Sequence, residues 1–180
     1  MLGILVIHQA EASESTWIAA LRHEVNCSNP CETIILNGPI RIGTAEEFMS
    51  KLVTSGTVVE LSSDGGVLRD ALMIADRIIA TGAMTRVAEN SDCLSACALI
   101  WLAGKQRFVG KGARLGFHGV YEVDGVPITS IAGNIQVGIF LSRLSLNFAA
   151  IDFATRAAPH EFRWLSQDHA VLLGIKSSWD

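Results

Sequence analysis

The run Thr57-Val58-Val59-Glu60-Leu61-Ser62-Ser63-Asp64-Gly65-Gly66 decides how this chain folds. Its first half is a β-branched, apolar stretch of strand length, and its second half is made of turn formers. Directly after it, Val67, Leu68, Ala71, Leu72, Ala75, Ile78 and Ile79 recur at helical spacing until Gly82. Strand, double-glycine turn and amphipathic helix together predict one βα unit of an α/β domain.

The same alternation extends in both directions. Upstream, Thr33-Ile34-Ile35-Leu36-Asn37 reads as a buried strand ending at Gly38-Pro39. Thr44 reads as an N-cap, with Glu47 completing a capping box for a helix through Leu52, and Gly56 breaks the pattern. Downstream, Arg86-Val87-Ala88 is a short strand, and a loop at Asn90-Ser91-Asp92 leads into a small-residue helix over 95–102. Extended segments follow near 107–109 and 113–118, then one or two apolar helices within 129–155. Ser166 caps a last helix that stops at Gly174. The order β-α-β-α-β-α-β predicts a mostly parallel sheet with right-handed crossovers. With no repeat and no linker, residues 1–180 read as a single domain with an N-terminal extension over 1–32. That extension opens on the apolar run Met1–His8, which suits a buried strand or the stump of a removed export signal.

Composition narrows the function classes. A chain of 180 residues, half of them apolar, can bury a core without staples. Fourteen Lys and Arg against eighteen Asp and Glu leave a formal charge of −4, and the cations never form a run. That excludes a phosphate-binding surface for nucleic acid as a partner. No apolar stretch is long enough to span a membrane. The four cysteines fall as Cys27/Cys31 and Cys93/Cys97, a spacing unlike zinc sites, so no metal and no cofactor is expected. Either pair suits a disulfide or two buried thiols equally well.

Three features can carry chemistry. Asp64-Gly65-Gly66 lets backbone N–H groups face a cleft, although a double glycine there is commonly just a turn. In Cys93-Leu94-Ser95-Ala96-Cys97 a serine stands where a loop becomes a helix, the place of a reactive hydroxyl or of an ordinary N-cap. In Leu115-Gly116-Phe117-His118-Gly119 a histidine ends an apolar strand, the place of a base or of a core residue. Their order along the chain says more than any of them singly.

Residues 57–118 resemble the Clp protease proteolytic subunit and its relatives in the Clp/crotonase superfamily, whose fold is a β-α-β superhelical spiral. Leu61–Val67 is similar to that family's N-S-P-G-G turn, Ser95-Ala96 to its nucleophile at a helix start, and Leu115–His118 to its base. A fainter likeness, Phe162-Arg163-Trp164-Leu165-Ser166 through Gly174-Ile175, resembles its ending, so the match covers residues 33–176. C-L-S-A-C-A-L-I-W-L-A-G over 93–104 looks like small bacterial Clp-like proteins that are often exported. The resemblance implies Ser95 as nucleophile and His118 as general base, with the N–H groups of Gly66 and Ala96 as the oxyanion hole. It further implies Gly65 and Gly119 beside the substrate.

Two departures qualify the match. Phe162 stands where the family's third, acidic member belongs, which leaves Glu161 as first candidate and Asp152 and Asp168 behind it. Asp64 replaces the proline of the turn, either opposing an oxyanion nearby or capping the next helix. The family's handle segment corresponds to 129–158 and is unusually apolar here, which implies a homo-oligomer.

The reading that follows is a serine hydrolase, a Clp-like peptidase acting on peptide or protein substrates through an acyl-enzyme. The alternative is a catalytically inactive assembly or binding module of the same fold. A crotonase-like acyl-CoA enzyme ranks third, since neither its catalytic acid nor a basic nucleotide site is visible. The exported look-alikes and paired cysteines favour a periplasmic setting over a cytoplasmic one, and an ATPase partner is left open.

Overall fold

A computed structural model of the protein describes residues 18–24, 31–124 and 126–180. The apolar run Met1–His8 and Cys27 lie outside the described residues. The chain begins with β1 (Ile18–Glu24), β2 (Cys31–Asn37), α1 (Thr44–Met49), β3 (Val58–Ser62), α2 (Leu68–Thr81) and β4 (Met84–Val87). It continues with β5 (Asp92–Leu94), α3 (Ala96–Leu102), β6 (Arg107–Val109), β7 (Arg114–Phe117), β8 (Tyr121–Asp124) and β9 (Val126–Thr129). Last come α4 (Ile131–Arg143), α5 (Phe148–Thr155), β10 (Arg163–Leu165), α6 (Gln167–Leu172) and β11 (Ser178–Trp179).

The main sheet has the order β1-β2-β3-β4-β6-β11. Its strands from β2 onward are parallel, and β1 runs antiparallel along the edge of β2. In a smaller sheet, β7 lies between β5, parallel to it, and β10, antiparallel. β8 and β9 form a separate hairpin.

Parallel strands need cover on both faces, which is why β3 reads as an apolar run rather than an alternation. Val59 and Leu61 are buried in β3, and α2 lays Ala71, Ile74, Ala75 and Ile78 into the same core. α3 is buried on every side, from Ala96 to Leu102, with Trp101 fully enclosed. A helix without a polar face has no stable place except inside a core.

Several local expectations are corrected. Thr44 is the first residue inside α1 and not its cap; the cap position is Gly43, at a left-handed φ of 93°. The capping acceptor comes from α2, where buried Asp70 takes hydrogen bonds from Gly43 N–H and Ala45 N–H, each at 3.0 Å. Asp92 opens a strand instead of ending a loop, because β5 is held by pairing with β7 across the fold and is too short to show a period of its own. The apolar stretch from 129 resolves into two helices, α4 and α5. Ser166 does cap α6, accepting from His169 N–H.

Candidate active site

The double-glycine turn is placed by two backbone bridges. Ser63 N–H donates to Asp92 O and Leu94 N–H to Ser63 O, each at 2.9 Å, which ties the end of β3 to β5. Beyond it Ile40 N–H donates to Gly65 O at 2.8 Å and Val67 N–H to Ile40 O at 3.0 Å. Gly66 N–H takes no part in that bridge, and Gly66 itself is exposed. Gly65 and Gly66 hold φ values of 92° and 140°, where a side chain is strained. A Cβ on Gly65 would stand 2.8 Å from Ser95 Cβ, so the turn backs directly onto the serine.

Ser95 joins β5 to α3 at φ 55°, ψ −121°. Such a backbone is rare for a residue with a side chain, and it persists only where the surroundings over-determine it. They do so here: Ser95 N–H donates to Gly116 O at 2.8 Å, and a Cys93–Cys97 disulfide brackets the residue from both sides. Serines on sharp strand-to-helix turns of this kind present their hydroxyl to a cleft. Ser95 also occupies the N-cap position of α3 without capping it. Ser130, Asn147 and Ser166 each accept a cap hydrogen bond from their helices, whereas the Ser95 hydroxyl accepts none. The bland reading of this residue as a cap therefore fails. Ala96, the first residue of α3, has an N–H with no acceptor inside the helix.

His118 follows β7 directly and is 9% exposed. Its Nδ1 lies 2.7 Å from Gly119 O. A carbonyl only accepts, so Nδ1 carries the proton and Nε2 is left as the acceptor of the neutral ring. Phe162 meets the imidazole edge-on at 5.0 Å between centroids, and Tyr121 lies at 5.3 Å on a tilted ring. Burial pushes the His118 pKa below its ordinary value, with the Gly119 hydrogen bond opposing that shift.

Ser95, His118, Gly66 and Ala96 line one cavity of about 440 Å³. Ile40, Val67, Leu99, Val137 and Phe162 make most of its remaining wall apolar. Gly65 and Gly119 do not line it: Gly65 supports Ser95 from behind, and Gly119 supplies the carbonyl that holds His118.

The third acid is not where the chain pattern points. Glu161 is exposed, lies outside the cavity lining, and leaves the His118 Nδ1 proton to Gly119 O. Asp152 is committed to Arg156 and Arg163, and the Arg156 hydrogen bond lowers its pKa. Asp168 is exposed in the first turn of α6. Phe162, in the chain position of the family's acid, packs its ring against the imidazole, and the Nδ1 edge faces Gly119 O. Tyr121, the chain's one tyrosine, went unread because β8, although it alternates apolar and polar residues, is only four residues long.

No family model matches the sequence, and no curated protein does. Solved structures do match. Two mutant forms of the 1510-N membrane-bound stomatin-specific protease superpose with a TM-score of 0.61. The first is 15% identical over 82% of this chain and 77% of its own. The second, in complex with a substrate peptide, is 16% identical over 82% of this chain and 73% of its own. ClpP1 from Listeria monocytogenes superposes with a TM-score of 0.58, at 18% identity, over 81% of this chain and 89% of its own. These likenesses bear on the fold, and the chain has the Clp-protease-like fold.

Proposed function

We propose that this protein is a serine hydrolase of the Clp-like peptidase kind, with Ser95 as nucleophile and His118 as general base. The observation that carries the reading is the uncapped Ser95 hydroxyl, held at a strained φ of 55° in one cavity with an imidazole whose Nδ1 is already committed. His118 Nε2 takes the Ser95 Oγ proton as Oγ bonds to the scissile carbonyl carbon. Negative charge then grows on the carbonyl oxygen, and the N–H groups of Gly66 and Ala96 receive it. The protonated imidazole gives its proton to the leaving amine, the C–N bond breaks, and water releases the acyl group by the same route in reverse. The Gly119 carbonyl does part of what a carboxylate does in a triad: it fixes the tautomer, without supplying a full charge to the imidazolium.

The fold relatives titled as proteases support peptide or protein as the substrate class. The exposed apolar side chains Ile131, Ile135 and Ile139 along α4 support a homo-oligomer. The Cys93–Cys97 disulfide supports an oxidising compartment such as the periplasm. Among the described residues no helix is long and apolar enough to cross a membrane.

A fluorophosphonate probe tests the chemistry. Labelling should map to Ser95 and disappear in Ser95→Ala, and in His118→Ala it should slow by about 10²-fold or more. A second reading, an inactive assembly module, draws on Phe162, which stands in the chain position of the family's acid and packs against His118. Absence of labelling at every pH between about 6 and 9, a span whose upper part leaves an imidazole base neutral, would leave that reading in place.

A further inference from the structure

Asp64 belongs to two cavities at once. It lines the apolar active-site cavity and also a polar groove of about 590 Å³, walled by Asn37, Ser62, Asn90, Asp92 and Arg114 among others. The groove lies past the carboxyl ends of β2, β3 and β4. That is where open α/β sheets take up ligands.

The other charges of the groove cancel. Arg114 Nε donates to Asp92 Oδ1 at 2.7 Å, its Nη2 pairs with Asp92 Oδ2, and the guanidinium stacks over the Trp164 ring at 4.8 Å. Asp64 is exposed and has no ion-pair partner among the described residues. Nor does it cap α2, whose N-cap is Val67 with no side-chain hydrogen bond. The junction of the two cavities thus carries one uncompensated negative charge, two residues before Gly66.

We propose that Asp64 makes the site selective for peptides that carry a lysine or arginine close to the scissile bond. The cation lies against Asp64 in the polar groove while a neighbouring apolar side chain fills the cavity. The inference rests on the reading of Ser95 as nucleophile and deepens it. A carboxylate beside an oxyanion hole opposes the charge that grows on the carbonyl oxygen. No cation of the described chain relieves that opposition, since Arg114 is held by Asp92. A substrate that brings its own cation neutralises Asp64 at the moment the oxyanion forms, so the gain enters kcat as well as KM.

Internally quenched peptides with leucine next to the scissile bond test this, with Lys, Gln or Glu placed in turn at three positions on either side. At low salt one position should favour Lys over Glu by about tenfold in kcat/KM, the product of roughly threefold attraction and roughly threefold repulsion at an exposed carboxylate. Salt at about 1 M should shrink that ratio to less than about twofold. Asp64→Asn should collapse the ratio and speed the Gln peptides. Equal rates for Lys, Gln and Glu at every position, with Ser95 still labelled by the fluorophosphonate, overturn the inference and leave the serine reading standing. So does a labelled Ser95 with no peptide of the series cleaved. A Ser95 that never labels removes the reading and the inference together.

Discussion

His118 has its Nδ1 proton committed to a backbone carbonyl, and that single bond leaves Nε2 as the acceptor of the neutral ring. Glu161 is exposed and does not line the cavity, so Glu161→Gln should change the rate of Ser95 labelling by less than about twofold, as surface changes do. A larger fall, read from probe kinetics, would return Glu161 to the site. The pH dependence has a definite sign. A general base acts only when neutral, and burial lowers the His118 pKa from its ordinary 6.5. Labelling should therefore fall to half its plateau rate only at a pH below 6.5; a midpoint above 6.5 would contradict the burial. Ser95 and His118 stood out in the sequence through the order of the motifs and the resemblance to the Clp family, since each residue alone reads as an ordinary cap or core residue. The Gly119 carbonyl did not, since any residue can offer a carbonyl and only the backbone path aims it.

At the scale of elements, α1 depends on a side chain from α2. Asp70 is 3% exposed and holds two N–H groups at the start of a helix of only six residues. Asp70→Ala should cost about 2–3 kcal/mol, a lost cap together with one buried and one half-buried donor left without a partner. Asp70→Asn keeps an acceptor oxygen and should cost about half as much or less. Urea unfolding of the three proteins checks the ranking. Thr44 and Glu47 looked like a capping box because that pattern is local, whereas Asp70 lies 25 residues from the amide it caps. β5 and β10 escaped for a related reason: three residues held by long-range pairing leave no period to read. The long amphipathic α2 and the apolar β3 were plain from spacing alone.

For the whole molecule, the parallel order of β2, β3 and β4 was legible because β2 and β3 are each followed by a segment of helical period, and right-handed crossovers leave few ways to lay such units side by side. What the molecule does with its outer face was legible only as an excess of apolar residues. Ile131, Ile135 and Ile139 are 77%, 58% and 59% exposed, one turn apart along α4, with Phe148 79% exposed at the start of α5. Light scattering on the eluting protein should give a multiple of 19.3 kDa, and Ile135→Asp should lower that mass while circular dichroism stays unchanged. A monomer at every concentration would sink the assembly proposal. The enclosure of α3 has a further consequence for how the protein fails. Among the described residues α3 is the one helix buried along its whole length, so Ser95 at its start should not fray ahead of the rest. On heating, the nucleophile and the native state should disappear in the same transition, and a half-melted but still armed form would have no place on that path.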